Sequence, residues 1–419
     1  MAQADSTEAR VASGVLRSSV LGDLSATPRV WVFMALTLLS AMAQGATTVS
    51  RVTVATETFD TSVGIGTMAI LFGIAGVIMC LPSGMITDRF SARYVFLVSV
   101  LLLVVAQTRM TIVVAQGSVT MADLFANSVI EGALTGFIMA SVVKVQASLV
   151  DQNARGSAEI LNLLRMALGA LIGTMVASNM RNPALSMGLA ALTNALVAVG
   201  VFLVSRRTRT SLKGTRTGAD LKIAMGAIRS RHSLQTIIVI DLILRLVIPT
   251  QLLTLFIADT KIVEFAGLLI SLGIVGTLIG QFTLAVRGVN RSPERPALVA
   301  FIVAALIAGI GTIGVWYGWL LTIPLLLTLC ILSYSALTAF CQGTVGALVQ
   351  QRCPDEVRGR ISAALTGVRN LFVTVAIAIG SLIMANWHLP GLAAVITGLM
   401  VLALATIRGV GWFKRTDTQ

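Results

Sequence analysis

Charge is what this 419-residue chain is shortest of: 12% of its residues are charged, against about a quarter in an ordinary soluble domain. Hydrophobic residues make up 56%, where about 45–50% is usual. Together these exclude a water-soluble globule of this size and a disordered chain. Histidine is almost missing. His232 and His388 both fall outside the apolar runs drawn below, which argues against a buried histidine proton relay. Four cysteines do not make a disulfide scaffold. Cys80, Cys330 and Cys341 lie in apolar runs and Cys353 in a connecting loop, with no pairing or metal spacing. Residues 1–28 are polar, with no apolar stretch before Trp31, so a cleaved signal peptide is not expected.

Long apolar runs are what the chain does have. Twelve membrane helices of about 20 residues need about 240 apolar-dominated positions, close to the supply. Runs long enough to cross a bilayer can be drawn at 30–50, 63–87, 94–115, 121–147, 157–178 and 184–204. They resume at 234–257, 265–286, 297–316, 319–348, 361–385 and 391–411. The pattern predicts an all-α membrane protein with twelve transmembrane helices in two six-helix bundles, 30–204 and 234–411. An N-terminal segment (1–29), a basic linker (205–233) and a tail (412–419) complete the layout, all three expected in the cytoplasm. Lipid is thus the first partner implied.

The net charge of +13 reads as topology rather than as nucleic-acid binding, because Lys and Arg collect on the cytoplasmic side. With both termini inside, twenty-three basic residues fall on the inner side, eight of them in the linker. Four fall outside: Arg51, Arg109, Arg181 and Lys261. Lys144, Arg165, Arg245 and Arg369 fall within spans. Trp31 and Trp412 lie at inner ends, and Trp316, Trp319 and Trp387 at outer ends, the headgroup level that indole prefers.

The halves echo each other. Asp151-Gln-Asn-Ala-Arg155-Gly156 precedes the fifth span as Asp355-Glu-Val-Arg358-Gly359 precedes the eleventh, and Arg165 and Arg369 recur at similar depth. Parallel six-helix repeats are a known transporter architecture. Between the second and third spans comes Gly84-Met-Ile-Thr-Asp88-Arg89-Phe90-Ser91-Ala92-Arg93. It resembles the G-x-x-x-D-R-x-G-R-R signature of the major facilitator superfamily, in the form carried by the drug-efflux branch of tetracycline and macrolide exporters. Gly84, Asp88, Arg89 and Arg93 match; Ser91 and Ala92 depart from it. The resemblance implies the major facilitator fold. It also implies that Asp88 and the arginines, with Arg155 and Arg358 at the echoed positions, make contacts that hold the inner side closed. A small Gly84 at a tight inner turn fits close helix approach.

Each charge inside the membrane is a site candidate, because burying one costs about 2.5–3.5 kcal/mol on insertion scales. Asp123, Asn127 and Glu131 recur every four residues on one helical face, with Thr135 continuing the stripe. The exporters' helix 4 arginine would fall at Asn127 and is missing, so its part in proton coupling does not carry over. Asp241 and Arg245 lie one turn apart, as a structural ion pair or as one that opens for a proton or a cationic substrate. Arg165 and Arg369 lie roughly 12–15 Å from the inner ends of their spans, where they can bind an anionic group or offset Glu131 and Asp241. Lys144 can snorkel. Gly169-Ala-Leu-Ile-Gly173 has the spacing of the exporters' helix 5 motif without its proline, and the first run holds no acidic residue.

Neither a nucleophile–base constellation, a metal cluster nor a phosphate loop is present, so we expect no enzyme activity, no cofactor and no nucleic-acid partner. The resemblance implies efflux of a small amphipathic compound by a monomer, with protons as coupling ion and the two halves rocking about a central site. The competing expectation is export of a metabolite or siderophore, or lysolipid flipping, on the same fold.

Overall fold

The computed structural model describes residues 28–58, 62–150, 155–180, 182–205, 263–287, 294–317 and 324–352, with shorter pieces at 242, 367–369, 371–376, 378–379, 383, 395 and 398. All regular structure among them is helical. Six helices follow one another from the start: α1 (Pro28–Thr58), α2 (Ser62–Arg89), α3 (Ala92–Ala115), α4 (Met121–Leu149), α5 (Arg155–Asn179) and α6 (Pro183–Val204). After the linker come α7 (Val263–Arg287), α8 (Glu294–Trp316) and α9 (Pro324–Arg352). These three answer to the eighth, ninth and tenth runs, and the pieces between 367 and 379 belong to the eleventh. Apart from residue 242 of the seventh run and residues 395 and 398 of the twelfth, those two runs, the linker beyond Ser205 and the tail lie outside the described residues. Among the described residues, six helices are long and apolar enough to cross a membrane; α2, α7 and α8 each contain a shorter apolar core.

Local chemistry sets the helix ends. Asn182 caps α6 by accepting from the Leu185 amide at 3.1 Å, and Pro183 fills the first helical position, where no amide is needed. Thr120 and Asp123 close a reciprocal capping box at the start of α4. Within the membrane, hydroxyls are satisfied by their own helix: Thr37, Thr47 and Ser50 each donate to the carbonyl four residues back. A polar residue therefore costs little there.

Packing repeats between the halves. α2 and α3 both pack on α4, as α7 and α8 both pack on α9. Glycine permits the closest contacts. Gly132 of α4 lies against the Phe72 carbonyl of α2, and Gly280 of α7 against the Ala336 carbonyl of α9, each where a Cβ has no room. In the first half α1 packs on α5 and α6, and α3 on α6. The halves meet where α5 contacts α7 and α9 and where Gly73 of α2 faces Thr374.

The first half buries two apolar clusters with a polar layer between them. One, at the Pro28 end, holds Val30, Phe33, Phe96, Val142, Val145 and Val201. The other, toward the Thr58 end, holds Val54, Met68, Met110, Leu124 and Met187. Between them Ser40 donates to Asn194 (3.2 Å), Asn194 to Gln107 (3.1 Å) and Gln107 to Thr47 (3.5 Å), joining α1, α3 and α6.

A buried charge pair in the first bundle and the family it belongs to

α1 and α4 make few close approaches, and between their shared apolar clusters a charge pair joins them. Arg51 Nη1 lies 2.5 Å from Glu131 Oε2, with side-chain exposures of 15% and 6%. The guanidinium also lies over the Phe72 ring of α2, 5.6 Å from its centre. Asn127, one turn from Glu131 on α4, is buried as well. Glu131 Oε1 and Asn127 Nδ2 are enclosed without a hydrogen-bond partner in the protein. By helix rise the pair lies about 10–15 Å from the Thr58 and Met121 ends of its helices, well inside the apolar span. Among the described side chains, Glu131 is the one carboxylate that is nine-tenths buried.

The sequence placed Arg51 in a loop beyond a span ending at residue 50. That placement is corrected: α1 runs on to Thr58 and carries Arg51 within it. An arginine at the end of an apolar run reads as a loop residue until its buried partner is seen. The missing signal was Glu131 itself, which needs a cation in the same half. Gly84 also moves. It lies inside α2, which continues through Asp88 to Arg89, so the turn shrinks to Phe90 and Ser91 before α3 begins.

The remaining candidates are distributed around this pair. Asp123 lies in the first turn of α4. It closes the capping box with Thr120 and bonds Arg109 Nη2 of α3 at 2.5 Å, two turns from Glu131. Arg109 is more than half exposed there. Arg165 is half-buried in α5 and donates to Asn162. Arg369 is half-buried in the short helical piece 367–369. Arg93 lies over the rings of Tyr94 (4.8 Å) and Phe202 (5.8 Å), fixing α3 to α6 at the Pro28 end. Arg89 is exposed, and Arg155 opens α5. Asp241, Arg245 and Arg358 lie outside the described residues. No group of three metal-ligating side chains occurs among the described residues.

Helical repeats of this kind, with charges buried between them, are what a comparison with known families can name. The family model described as Major Facilitator Superfamily matches residues 33–381. The chain belongs to that superfamily. Its fold is therefore twelve membrane helices in two pseudo-symmetric six-helix bundles, and it is a multi-pass membrane transporter rather than an enzyme.

No curated protein matches the chain. Among solved structures it is similar to the human organic anion transporter TETRAN, with a TM-score of 0.67 and 16% identity over 90% of this chain and 99% of that one. A bacterial homologue of the iron transporter ferroportin, outward-facing and soaked with iron, has a TM-score of 0.65 and 16% identity over 91% and 99%. A variant of the nucleoside transporter NupG follows at 0.64 and 14%, again over 91% and 99%. At such identities the likeness shows the fold alone.

Proposed function

We propose that this superfamily member is a proton-coupled antiporter of the drug-efflux branch. It expels small amphipathic compounds from the cytoplasm through a cell membrane, with both termini and the basic linker inside. The observation that carries this is the Arg51–Glu131 pair, a carboxylate and a guanidinium enclosed in the apolar span with one carboxylate oxygen left unpaired.

Such a pair supports coupling for an electrostatic reason. While Glu131 is ionised, it and Arg51 neutralise each other and neither charge is stranded in the membrane. A proton on Glu131 removes the attraction, frees Arg51 from α4, and lets α1 and α4 separate. Cargo that contacts the carboxylate favours the deprotonated form, so proton and cargo exclude one another, which is what antiport requires. Arg51 is the charged group that the described side chains bring to Glu131; Arg109 and Asp123, two turns away, are paired together. The seam between halves, at Gly73 and Thr374, gives the two bundles a surface on which to rock.

The test is transport in proteoliposomes driven by a pH gradient, screened across cationic, neutral and anionic drugs. The wild type should concentrate at least one amphipathic compound. Glu131→Gln should lose gradient-driven accumulation. A Glu131→Gln variant that accumulates cargo as the wild type does would overturn the reading. Loss of an anionic ligand, but not of a cationic dye, in Arg165→Ala and Arg369→Ala would instead favour the metabolite, siderophore or lysolipid exporter.

A further inference from the structure

The polar groups enclosed by α1, α2 and α4 do not balance. Arg51 engages one oxygen of Glu131, Oε2, through one nitrogen. Glu131 Oε1 and Asn127 Nδ2 remain buried and unpartnered, on residues 4% and 3% exposed. A guanidinium and a carboxylate can form two parallel hydrogen bonds. Here the guanidinium is tethered to α1 and the second bond is not made. Below it lies an aromatic face at 5.6 Å, within the range of cation–π attraction.

A carboxylate edge with a free oxygen, an aromatic face and an amide that can turn either its oxygen or its nitrogen inward make a receptor for a flat, delocalised cation. Arg51 fills that receptor as a tethered and imperfect ligand. Phe72 directly precedes Gly73, whose missing side chain admits Thr374 of the other half. The aromatic wall therefore stands beside the seam where the bundles meet, and the Arg51 side chain that covers it is 15% exposed.

We propose that Glu131, Phe72 and Asn127 form a binding site for a guanidinium- or amidinium-bearing cation, and that Arg51 occupies it as a built-in competitor until cargo displaces it. The proposal rests on the reading of Glu131 as the group where cargo and proton compete, and it names the cargo's headgroup. A planar amidinium can engage both carboxylate oxygens and lie on the ring. A quaternary ammonium can use the ring but offers no hydrogen to Oε1.

The experiment is calorimetric titration of the purified full chain in nanodiscs with benzamidine and with benzyltrimethylammonium, at one pH and without a gradient. Wild type should bind benzamidine. Arg51→Met should bind it about tenfold more tightly, as expected for a site otherwise free about a tenth of the time. Glu131→Gln should abolish binding, and Phe72→Leu should weaken it about fivefold. Benzyltrimethylammonium should gain little from Arg51→Met. Equal benzamidine affinity in Arg51→Met and wild type overturns the proposal, and so does an equal gain for both cations. If Arg51→Met does not fold, Arg51→Lys decides. It keeps the charge but not the fork, so benzamidine should bind about threefold tighter than to wild type, and unchanged affinity overturns the idea. The two readings fail separately. Benzamidine binding lost in Glu131→Gln with gradient-driven transport intact would sink the proton role alone, and the converse would sink the cation site alone.

Discussion

Cys80 and Gly367 face each other across the seam between the bundles: a Cβ built on Gly367 falls 3.2 Å from Cys80 Sγ and 3.4 Å from its Cβ. Two turns along α2 the seam is met again at Gly73 and Thr374, seven residues from Cys80 and from Gly367 respectively. A spacing of seven on each side, two turns of a helix, is what brings successive contacts back to one face. The separation is near the Cβ–Cβ range of about 3.5–4.5 Å that a disulfide needs. Gly367→Cys should therefore form a disulfide with Cys80 under mild oxidation and arrest transport, and reductant should restore it. Maleimide labelling would read the bond, with Gly367→Cys/Cys80→Ser as the control. Oxidised, cross-linked protein that cycles at the wild-type rate would show that this seam does not open.

The contact of α1 with α5 depends on the absence of side chains. A Cβ on Gly45 falls 2.6 Å from the Ala170 carbonyl oxygen, and one on Gly173 runs into the Met42 carbonyl. Backbone cannot step aside as a rotamer can, so Gly173→Val should cost at least about 1–3 kcal/mol through overpacking and lower the melting temperature in detergent. Gly188 in α6 is the internal contrast. Its nearest neighbour is Thr111 Cγ2 at 3.4 Å, so Gly188→Ala should be neutral or slightly stabilising through helix propensity.

Much of this architecture is legible in the sequence. Apolar length places α3, α4 and α6 within two residues of the runs drawn for them, because a bilayer sets helix length directly. The four-residue stripe put Asp123 with Asn127 and Glu131 as an intramembrane charge, whereas the structure sets it in the first turn of α4, closing a capping box with Thr120. What hydropathy could not supply was the partner of Glu131. Arg51 follows an apolar run and precedes another turn of Val52, Val54 and Ala55, so its charge looks like an end while its neighbours continue the helix. Contacts between helices far apart in sequence carry no local signature. The glycines that mark them are common enough that only the structure pairs Gly132 with Phe72 or Gly73 with Thr374.

The polar chain Ser40–Asn194–Gln107–Thr47 holds α1, α3 and α6 as a unit, and each link satisfies a buried group. Asn194→Leu strands the partners on both sides and should destabilise by about 1–3 kcal/mol. In Asn194→Leu/Gln107→Leu the longest partner is also made apolar, so part of that loss should return. A double-mutant cycle on thermal stability measures the coupling. Strictly additive losses would mean that the two amides act independently.

Stability and coupling should separate cleanly at Arg51 and Glu131. Removing one member of a buried pair strands the other's charge and typically costs about 3–5 kcal/mol, so Arg51→Met alone should fold poorly or melt early. Removing both charges leaves nothing stranded. Arg51→Met/Glu131→Gln should melt near the wild type, because the pair's attraction largely offsets the cost of taking its two charges out of water. That restored protein should still fail to accumulate cargo against a pH gradient, because no titratable group remains at the site. A stable double variant with wild-type accumulation would make the pair a structural clasp between α1 and α4 and move the proton elsewhere in the bundle. A double variant as unstable as Arg51→Met alone would mean that helix contact, not charge, is what the substitution disturbs.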